Sequence, residues 1–315
     1  MIESVPVIDM ADLEAAASRL AIDRACREWG FFQVVGHDID ASLTGGILAA
    51  AHEFFAQPAD AKRAILRDAD NPWGYYDKEL TKNRQDWKEV FDFGPADGHR
   101  IKPRWPAVPL RLSFEPVVRA YYASCKALAM RLLAIVAGNL GVGAKALAQP
   151  FDGSHSSFLR LNHYPPQPLG RASADERRLG VGEHTDSGAL TVLLQDDRPG
   201  LEVLRDERWH LVQPTPGALV INLGDMVQVW SNDGYRAATH RAITHAQQER
   251  YSVPFFLNPS YETLYAPLPT TVTTIRPARY RPICWREFRT LRAAGDYADL
   301  GEEIQIAHYR IPEEA

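Results

Sequence analysis

Apolar positions follow two different periods along this chain, and the change falls near residue 156. Before it, three stretches repeat at three- and four-residue intervals, the spacing of a helix with one buried face. The first carries Leu13, Ala16, Ala17, Leu20, Ala21 and Ala25, with Asp9 or Asp12 as its cap and Gly30 past its end. The second covers 41–56, with Ile47, Leu48, Ala51, Phe54 and Phe55 inward and Pro58 just beyond. The third and longest, 114–140, places Phe114, Val118, Tyr121, Cys125, Leu128, Leu132 and Val136 on one stripe, closed by Gly141. Short strands are predicted at 5–9 and 31–36.

After residue 156 the period is two. Apolar or alternating runs occur at 157–164, 189–195, 200–204, 209–212, 217–223, 226–231, 239–245 and 251–258, separated by Gly, Pro and Asp turns. Closely spaced short strands of this kind predict a β-sandwich or jelly roll. The stretch 66–109 fits neither period. It mixes Trp73, Tyr75, Tyr76 and Trp87 with charges and prolines, and is read as a long connection that folds as a lid or a packed surface loop, with one strand at 89–94. The expected organisation is an N-terminal region 1–110, then 111–315 with the scaffold helix, a β core over about 155–280 and a C-terminal extension, all in one structural unit.

Composition narrows the function by exclusion. The 315 residues are 45% hydrophobic and 24% charged, which describes a globular protein with a substantial core. A net charge of -5 gives no electrostatic case for nucleic acid or an anionic membrane. No basic-then-apolar leader is visible, and no apolar run approaches the ~18–20 residues of a membrane span. Cys26, Cys125 and Cys284 are far apart and read as small buried residues in a reducing compartment, so a cytoplasmic location is expected. There is no Gly-x-Gly-x-x-Gly and no phosphate loop. A monomer is the default.

The candidate chemistry begins at His184-Thr185-Asp186. On an extended backbone, residues two apart project to one side, so an imidazole and a carboxylate leave the chain together. Such a triplet alone recurs by chance, and a metal needs a further ligand. His240 is the candidate, with His245 its rival. Two His and one carboxylate on one face of a metal leave open positions, the arrangement of non-haem Fe(II) oxygenases. Downstream, Arg250 and Ser252 share the same spacing and offer a guanidinium fork and a hydroxyl to a carboxylate. Asn162 and Tyr164 share a face with Arg160, whereas His163 alternates to the other side. His37 and His52 read as structural, and His155, His210 and His308 as exposed.

These motifs resemble the isopenicillin N synthase-like family of Fe(II)/2-oxoglutarate-dependent oxygenases. The likeness rests on His184-Thr185-Asp186, His240 and Arg250-x-Ser252, with Asn162-His163-Tyr164-Pro165-Pro166, Asn222-Leu223-Gly224-Asp225-Met226 and Trp230-Ser231-Asn232. It extends from Val5-Pro6-Val7-Ile8-Asp9 through Gly30-Phe31-Phe32 and Asp86-Trp87-Lys88-Glu89 to Gly295-Asp296-Tyr297. The resemblance implies a mixed α and β fold: a distorted double-stranded β-helix (jelly roll) with supporting N-terminal helices and one long scaffold helix.

It also implies that His184, Asp186 and His240 hold Fe(II), and that Arg250 and Ser252, assisted by Tyr164 and Asn162, hold 2-oxoglutarate. Oxidation of a small organic substrate by O2, most often hydroxylation, would then release succinate and CO2. The carboxylate at Asp186 argues against halogenation. The alternative within the resemblance is an isopenicillin N synthase-like or ascorbate-dependent oxidase that uses Fe(II) and O2 without 2-oxoglutarate. Tyr75, Lys82, Arg84, Phe91, Leu201 and Phe256 are the expected substrate-pocket positions; Lys82 and Arg84 point to an acidic substrate or else to a solvated loop.

Overall fold

The computed structural model describes residues 4–11, 16–68, 70–94, 101–167 and 179–312. In chain order the elements are β1 (Val7–Asp9), α1 (Ala16–Glu28), β2 (Phe31–Val35), α2 (Ala41–Phe55), α3 (Ala59–Arg63), β3 (Gly74–Tyr76), β4 (Leu80–Thr81), β5 (Arg84–Gln85), β6 (Glu89–Phe93) and α4 (Leu110–Asn139). There follow β7 (Phe158–Tyr164), β8 (Leu179–His184), β9 (Leu190–Gln195), β10 (Leu201–Arg205), β11 (Arg208–Leu211), β12 (Leu219–Leu223), α5 (Asp225–Trp230), β13 (His240–Ile243), β14 (Arg250–Leu257), β15 (Leu264–Tyr265), β16 (Ile283–Cys284) and α6 (Trp285–Gly295).

The strands form a jelly roll of two principal sheets. The larger runs β1-β2-β12-β9-β14-β7-β6-β3 and the smaller β11-β10-β13-β8. Period-two alternation assigns each face of the large sheet a separate task. On β7, Leu159 and Leu161 enter the main apolar core; on β14, Tyr251, Val253, Phe255 and Leu257 do the same. Their sequence neighbours Arg160, Asn162, Tyr164, Arg250, Ser252, Pro254 and Phe256 line a cleft on the other face. β9 and β12 follow the rule, with Leu190, Val192, Leu194, Leu219, Ile221 and Leu223 in the core and Thr191, Leu193 and Asn222 at the cleft. Register pairs Ser252↔Asn162 and Asn222↔Thr191 keep these polar side chains beside one another.

Helices α2 and α4 cover the core face. Ile47, Ala51, Phe54 and Phe55 of α2 and Phe114, Val118, Tyr121, Cys125, Leu128, Leu132 and Val136 of α4 are all buried there. Each such large side chain contributes about 1.5–3 kcal/mol on burial. By length and composition α4 is apolar enough to cross a membrane, and half of its most apolar window is buried inside the molecule. A second, smaller cluster joins the sheets to each other, bringing Leu201 and Val203 of β10 against Phe31, Leu193 and Val220.

Several elements depart from the periodicity. The run 226–231 is not a strand but almost the whole of α5 with its C-cap Ser231, and the helix starts after an extended Gly224. Met226, Val227, Val229 and Trp230 are all buried, so its apolar character reflects burial on every side, which a strand and a helix share. β8 carries only two apolar residues, Leu179 and Val181. Its sequence, Leu-Gly-Val-Gly-Glu-His, is extended by backbone pairing with β13. The stretch 66–109 supplies the β4–β5 hairpin and two strands, β3 and β6, that complete one edge of the large sheet. α4 begins one turn before the expected start, and His155 is buried rather than exposed, with Lys126 Nζ 2.7 Å from its Nε2. Asp12 and Leu13, the second expected cap and the first apolar helix position, lie outside the described residues.

Candidate active site

Two strands of the small sheet bring the histidines together. β8 ends at His184 and β13 begins at His240, and these two are register partners. Paired residues present their side chains on one face, and here the ring centroids are 4.2 Å apart. Asp186 follows two residues after β8. Its Oδ1 lies 3.7 Å from His184 Nε2 and 3.8 Å from His240 Nε2. One ligand atom from each residue lies within 4.8 Å of the others, the only such group among the described residues.

Hydrogen bonds outside the triad aim its lone pairs inward. His184 Nδ1 is 2.8 Å from the Gly182 carbonyl and His240 Nδ1 is 3.2 Å from the Ala238 carbonyl. A carbonyl only accepts, so each Nδ1 carries the proton and each Nε2 is left as a donor to a metal. Asp186 Oδ2 accepts from Asn222 Nδ2 at 2.7 Å and from the Thr191 hydroxyl, which turns Oδ1 toward the imidazoles. Burial, and then His240 beside it, hold His184 below the ordinary histidine range against the pull of Asp186. Burial opposes ionisation of Asp186, but His240, His184, Thr191 and Asn222 outweigh it and keep the carboxyl below its usual range. A neutral His184 imidazole, an ionised Asp186 carboxylate and the inward-facing Nε2 of His240 make a donor set suited to ferrous iron. His245 is elsewhere, its Nε2 2.6 Å from the Pro199 carbonyl.

Arg250 and Ser252 reach the same cleft from β14, 1% and 2% exposed. Arg250 donates from Nε to the Arg198 carbonyl at 3.2 Å and from Nη2 to Gln195 Oε1 at 2.9 Å. Among the described residues no carboxylate pairs with it. A buried guanidinium without an anion is costly, and the cleft side is where an anionic ligand can supply one. Gly200 makes room for it: a Cβ there would stand 2.7 Å from Arg250 Cδ and Nε. Ser252 Oγ lies 3.2 Å from Asn162 Nδ2 and 3.3 Å from the Tyr164 hydroxyl. Asn162 Oδ1 is buried with no partner among the described residues, an acceptor left for a ligand or water.

Of the expected substrate positions, Leu201 and Phe256 line the cleft. Tyr75 and Phe91 do not. Phe91 is fully buried with its ring 5.1 Å from Phe54 and 5.0 Å from Phe114, because its side of β6 faces the helices. Tyr75 is also buried in the core and donates to Glu89 at 2.7 Å. Lys82 and Arg84 are exposed in and beside the β4–β5 turn. Besides Arg250, the cations that line the cleft are instead Lys88, Arg160, Arg241, Arg289 and Arg292. Arg160 was legible from its two-residue spacing to Asn162; Lys88 sits in a resemblance motif that carried no role.

Comparison with known proteins agrees with this geometry. Residues 155–259 match the 2OG-Fe(II) oxygenase superfamily, and residues 5–108 match the non-haem dioxygenase in morphine synthesis N-terminal family. Flavanone 3-dioxygenase 2 of Oryza sativa subsp. japonica is 34% identical over 290 residues, 90% of this chain and 82% of that protein. Gibberellin 20 oxidase 2 of Oryza sativa subsp. indica is 36% identical over 286 residues, covering 89% of this chain and 71% of the relative. The crystal structure of JOX2 in complex with 2OG, Fe and JA superposes with a TM-score of 0.86 at 29% identity, over 98% of this chain and 90% of the other. A full-length Neurospora crassa protein crystallised with alpha-KG and thymine, at 24% identity and a TM-score of 0.84, shares the fold over 93% of this chain and 97% of its own. With relatives of this similarity aligned over most of both chains, the protein belongs to the 2OG-Fe(II) oxygenase superfamily and is an Fe(II)- and 2-oxoglutarate-dependent dioxygenase.

Proposed function

We propose that His184 Nε2, Asp186 Oδ1 and His240 Nε2 hold the ferrous ion of this oxygenase, and that Arg250 and Ser252 hold the far carboxylate of 2-oxoglutarate. Bound iron supplies the site at which 2-oxoglutarate and O2 react, giving succinate and CO2 as a small organic substrate is oxidised. The protein's own residues orient and exclude. Gly182 and Ala238 fix the imidazole tautomers, Asn222 and Thr191 fix the carboxylate, and Asn162 and Tyr164 hold the Ser252 hydroxyl in place. Apolar Leu193 and Leu201 flank the cleft and limit water there.

The observation that carries the reading is the placement, in one cleft, of a His–Asp–His group beside a buried arginine that no carboxylate among the described residues pairs with. A cytoplasmic setting belongs to the same reading, supported by Cys26, Cys125 and Cys284 standing as free thiols. The relatives named for flavanone and gibberellin support a small-molecule substrate, and hydroxylation is the outcome we assign.

The test is an anaerobic visible spectrum of the Fe(II) protein titrated with 2-oxoglutarate. A weak charge-transfer band that fails to appear in His184→Ala is the expected result. Iron binding without a band in the wild type would overturn the clamp, and a His184→Ala protein that still forms the band would overturn the triad.

A further inference from the structure

Beyond the triad the cleft opens into a second chamber that Arg250 and Ser252 do not line, and its chemistry differs. Val181 and Phe256 give it apolar surface, with Phe158 stacked 4.6 Å from Phe256. The remaining wall is ionic. Arg160 is held by two carboxylates through four of its five N–H donors: Nε donates to Asp92 at 2.7 Å, Nη1 to Glu79 at 2.8 Å, and Nη2 to Asp92 at 2.8 Å and Glu79 at 2.7 Å. Arg67 closes the network from behind, bonding the same two acids.

Lys88 is different. Its side chain is 4% exposed, and its Nζ reaches Asp86 at 2.8 Å and Glu79 at 2.9 Å. An ammonium has three N–H donors, and the third has no acceptor among the described residues. Lys88 borders both the chamber with the clamp and the second chamber, at the point where they share His184 and Asp186. Asp86 fixes its position, because its other oxygen accepts from the Gly182 amide at 3.0 Å on the strand that ends in His184.

Within this network Arg67, Lys88 and Arg160 offset Glu79, Asp86 and Asp92. Half-buried Arg289 then adds a positive charge at the same chamber. Its guanidinium lies 5.9 Å from the Phe158 ring and donates to no described acceptor. Asp296 opposes it, but burial and then Glu79 raise that carboxyl to about 6, so it can take up a proton when a second anion arrives.

We propose that the second chamber binds a substrate carrying a carboxylate, which accepts from Lys88 Nζ while an apolar body lies on Val181 and Phe256. Arg289 supplies a second, weaker attraction. The proposal rests on the triad being the iron site, since it sets the substrate's anionic group beside His184.

The test uses the full chain, anaerobic, with Fe(II) and 2-oxoglutarate bound, and reads the shift of the charge-transfer band and, in air, succinate release. The probes are matched carboxylic acids, primary amides and amines on short alkyl, long alkyl, phenyl and indolyl bodies. Acids are expected to shift the band and to accelerate succinate release, and amides and amines to do neither. Lys88→Met should weaken the acids at least about tenfold, Lys88→Arg should restore part of that, and Arg289→Met should weaken them about threefold. Amides as effective as acids, no acid effect in the wild type, or full acid affinity in Lys88→Met would each overturn the proposal. Should Lys88→Met fail to form the band, Arg289→Met decides, and unchanged acid affinity there overturns it. A wild-type protein with no band at all would instead overturn the iron and clamp assignment.

Discussion

Arg292, on the last helix, donates from Nη2 to the carbonyl of Thr185 at 2.9 Å, and Thr185 stands between His184 and Asp186. Its other donors go to the Ile304 carbonyl at 3.2 Å, Gln305 Oε1 at 2.7 Å and Glu303 at 3.2 Å. The C-terminal extension is thereby tied to the metal loop through one buried guanidinium with four of its five donors engaged. Removing a group that orients metal ligands costs about ten- to a hundredfold in affinity, so Arg292→Met should weaken ferrous binding on that scale although no ligand is lost. Arg292→Lys, which keeps the charge and loses the fork, should fall between. Equal iron titrations for wild type and Arg292→Met would show that the tie is incidental.

Arg250→Ala should leave iron affinity intact and weaken 2-oxoglutarate by about 2–5 kcal/mol, the cost of removing one partner of a buried charge pair. Calorimetric titration of the iron-loaded protein with 2-oxoglutarate reads this directly. A loss of iron affinity instead would place the guanidinium in a structural role.

Gly200→Ala tests the same pocket from behind. The added Cβ would meet Arg250 Nε at 2.7 Å and the Ile243 carbonyl at 3.1 Å, and a backbone carbonyl cannot yield easily. The guanidinium must shift, so cosubstrate affinity should fall about tenfold while iron affinity holds. An unchanged titration would mean that the side chain repacks without cost.

Asn222→Ala removes the 2.7 Å donor to Asp186 Oδ2 and leaves the Thr191 hydroxyl alone to orient that carboxylate. Iron affinity should drop about tenfold or more, with a smaller drop for Thr191→Val. Competition with a metal-sensitive dye resolves both.

Asp296 gives a dependence on pH. Burial, then Glu79, raise its carboxyl from the ordinary 3.8 to about 6, despite Arg289, Arg160 and Arg67. A folded-state value above the unfolded one means that the contribution to stability is fully present below 3.8 and is lost as pH rises through about 6. Above that, the ionised carboxylate is a net cost. Asp296→Asn should therefore stabilise the metal-free protein by about 1–2 kcal/mol at about pH 7.5, with most of the gain gone by about pH 4.5. Urea unfolding at the two pH values measures it, and a gain independent of pH would contradict the assignment.

The sequence by itself determined which residue types carry the chemistry, because its signals are local. Two-residue spacing on extended backbone aims His184 with Asp186, Arg250 with Ser252, and Asn162 with Tyr164, whatever the strands pair with. Helical spacing likewise identified the buried stripes of α2 and α4, and alternation identified most of the jelly-roll strands. What depended on neighbours was not legible. The stretch Leu-Gly-Val-Gly-Glu-His has only two apolar residues, too few to mark a strand, and only pairing with β13 makes it the strand that sets His184 opposite His240. The 226–231 run is apolar because it is surrounded, which leaves helix and strand indistinguishable until the surroundings exist.

The same holds for charge. Lys82 and Arg84 look like Lys88 along the chain, yet the β4–β5 turn leaves the first two in solvent, while the third packs against Asp86 and Glu79 at the cleft. Phe91 and Phe256 are both strand aromatics, and the faces their strands present send one to the core and the other to the cleft. Side-chain direction along a strand is fixed by covalent geometry and can be read from the sequence. Which side of the sheet is core and which is cleft is fixed by packing between elements distant in sequence, and that belongs to the tertiary structure alone.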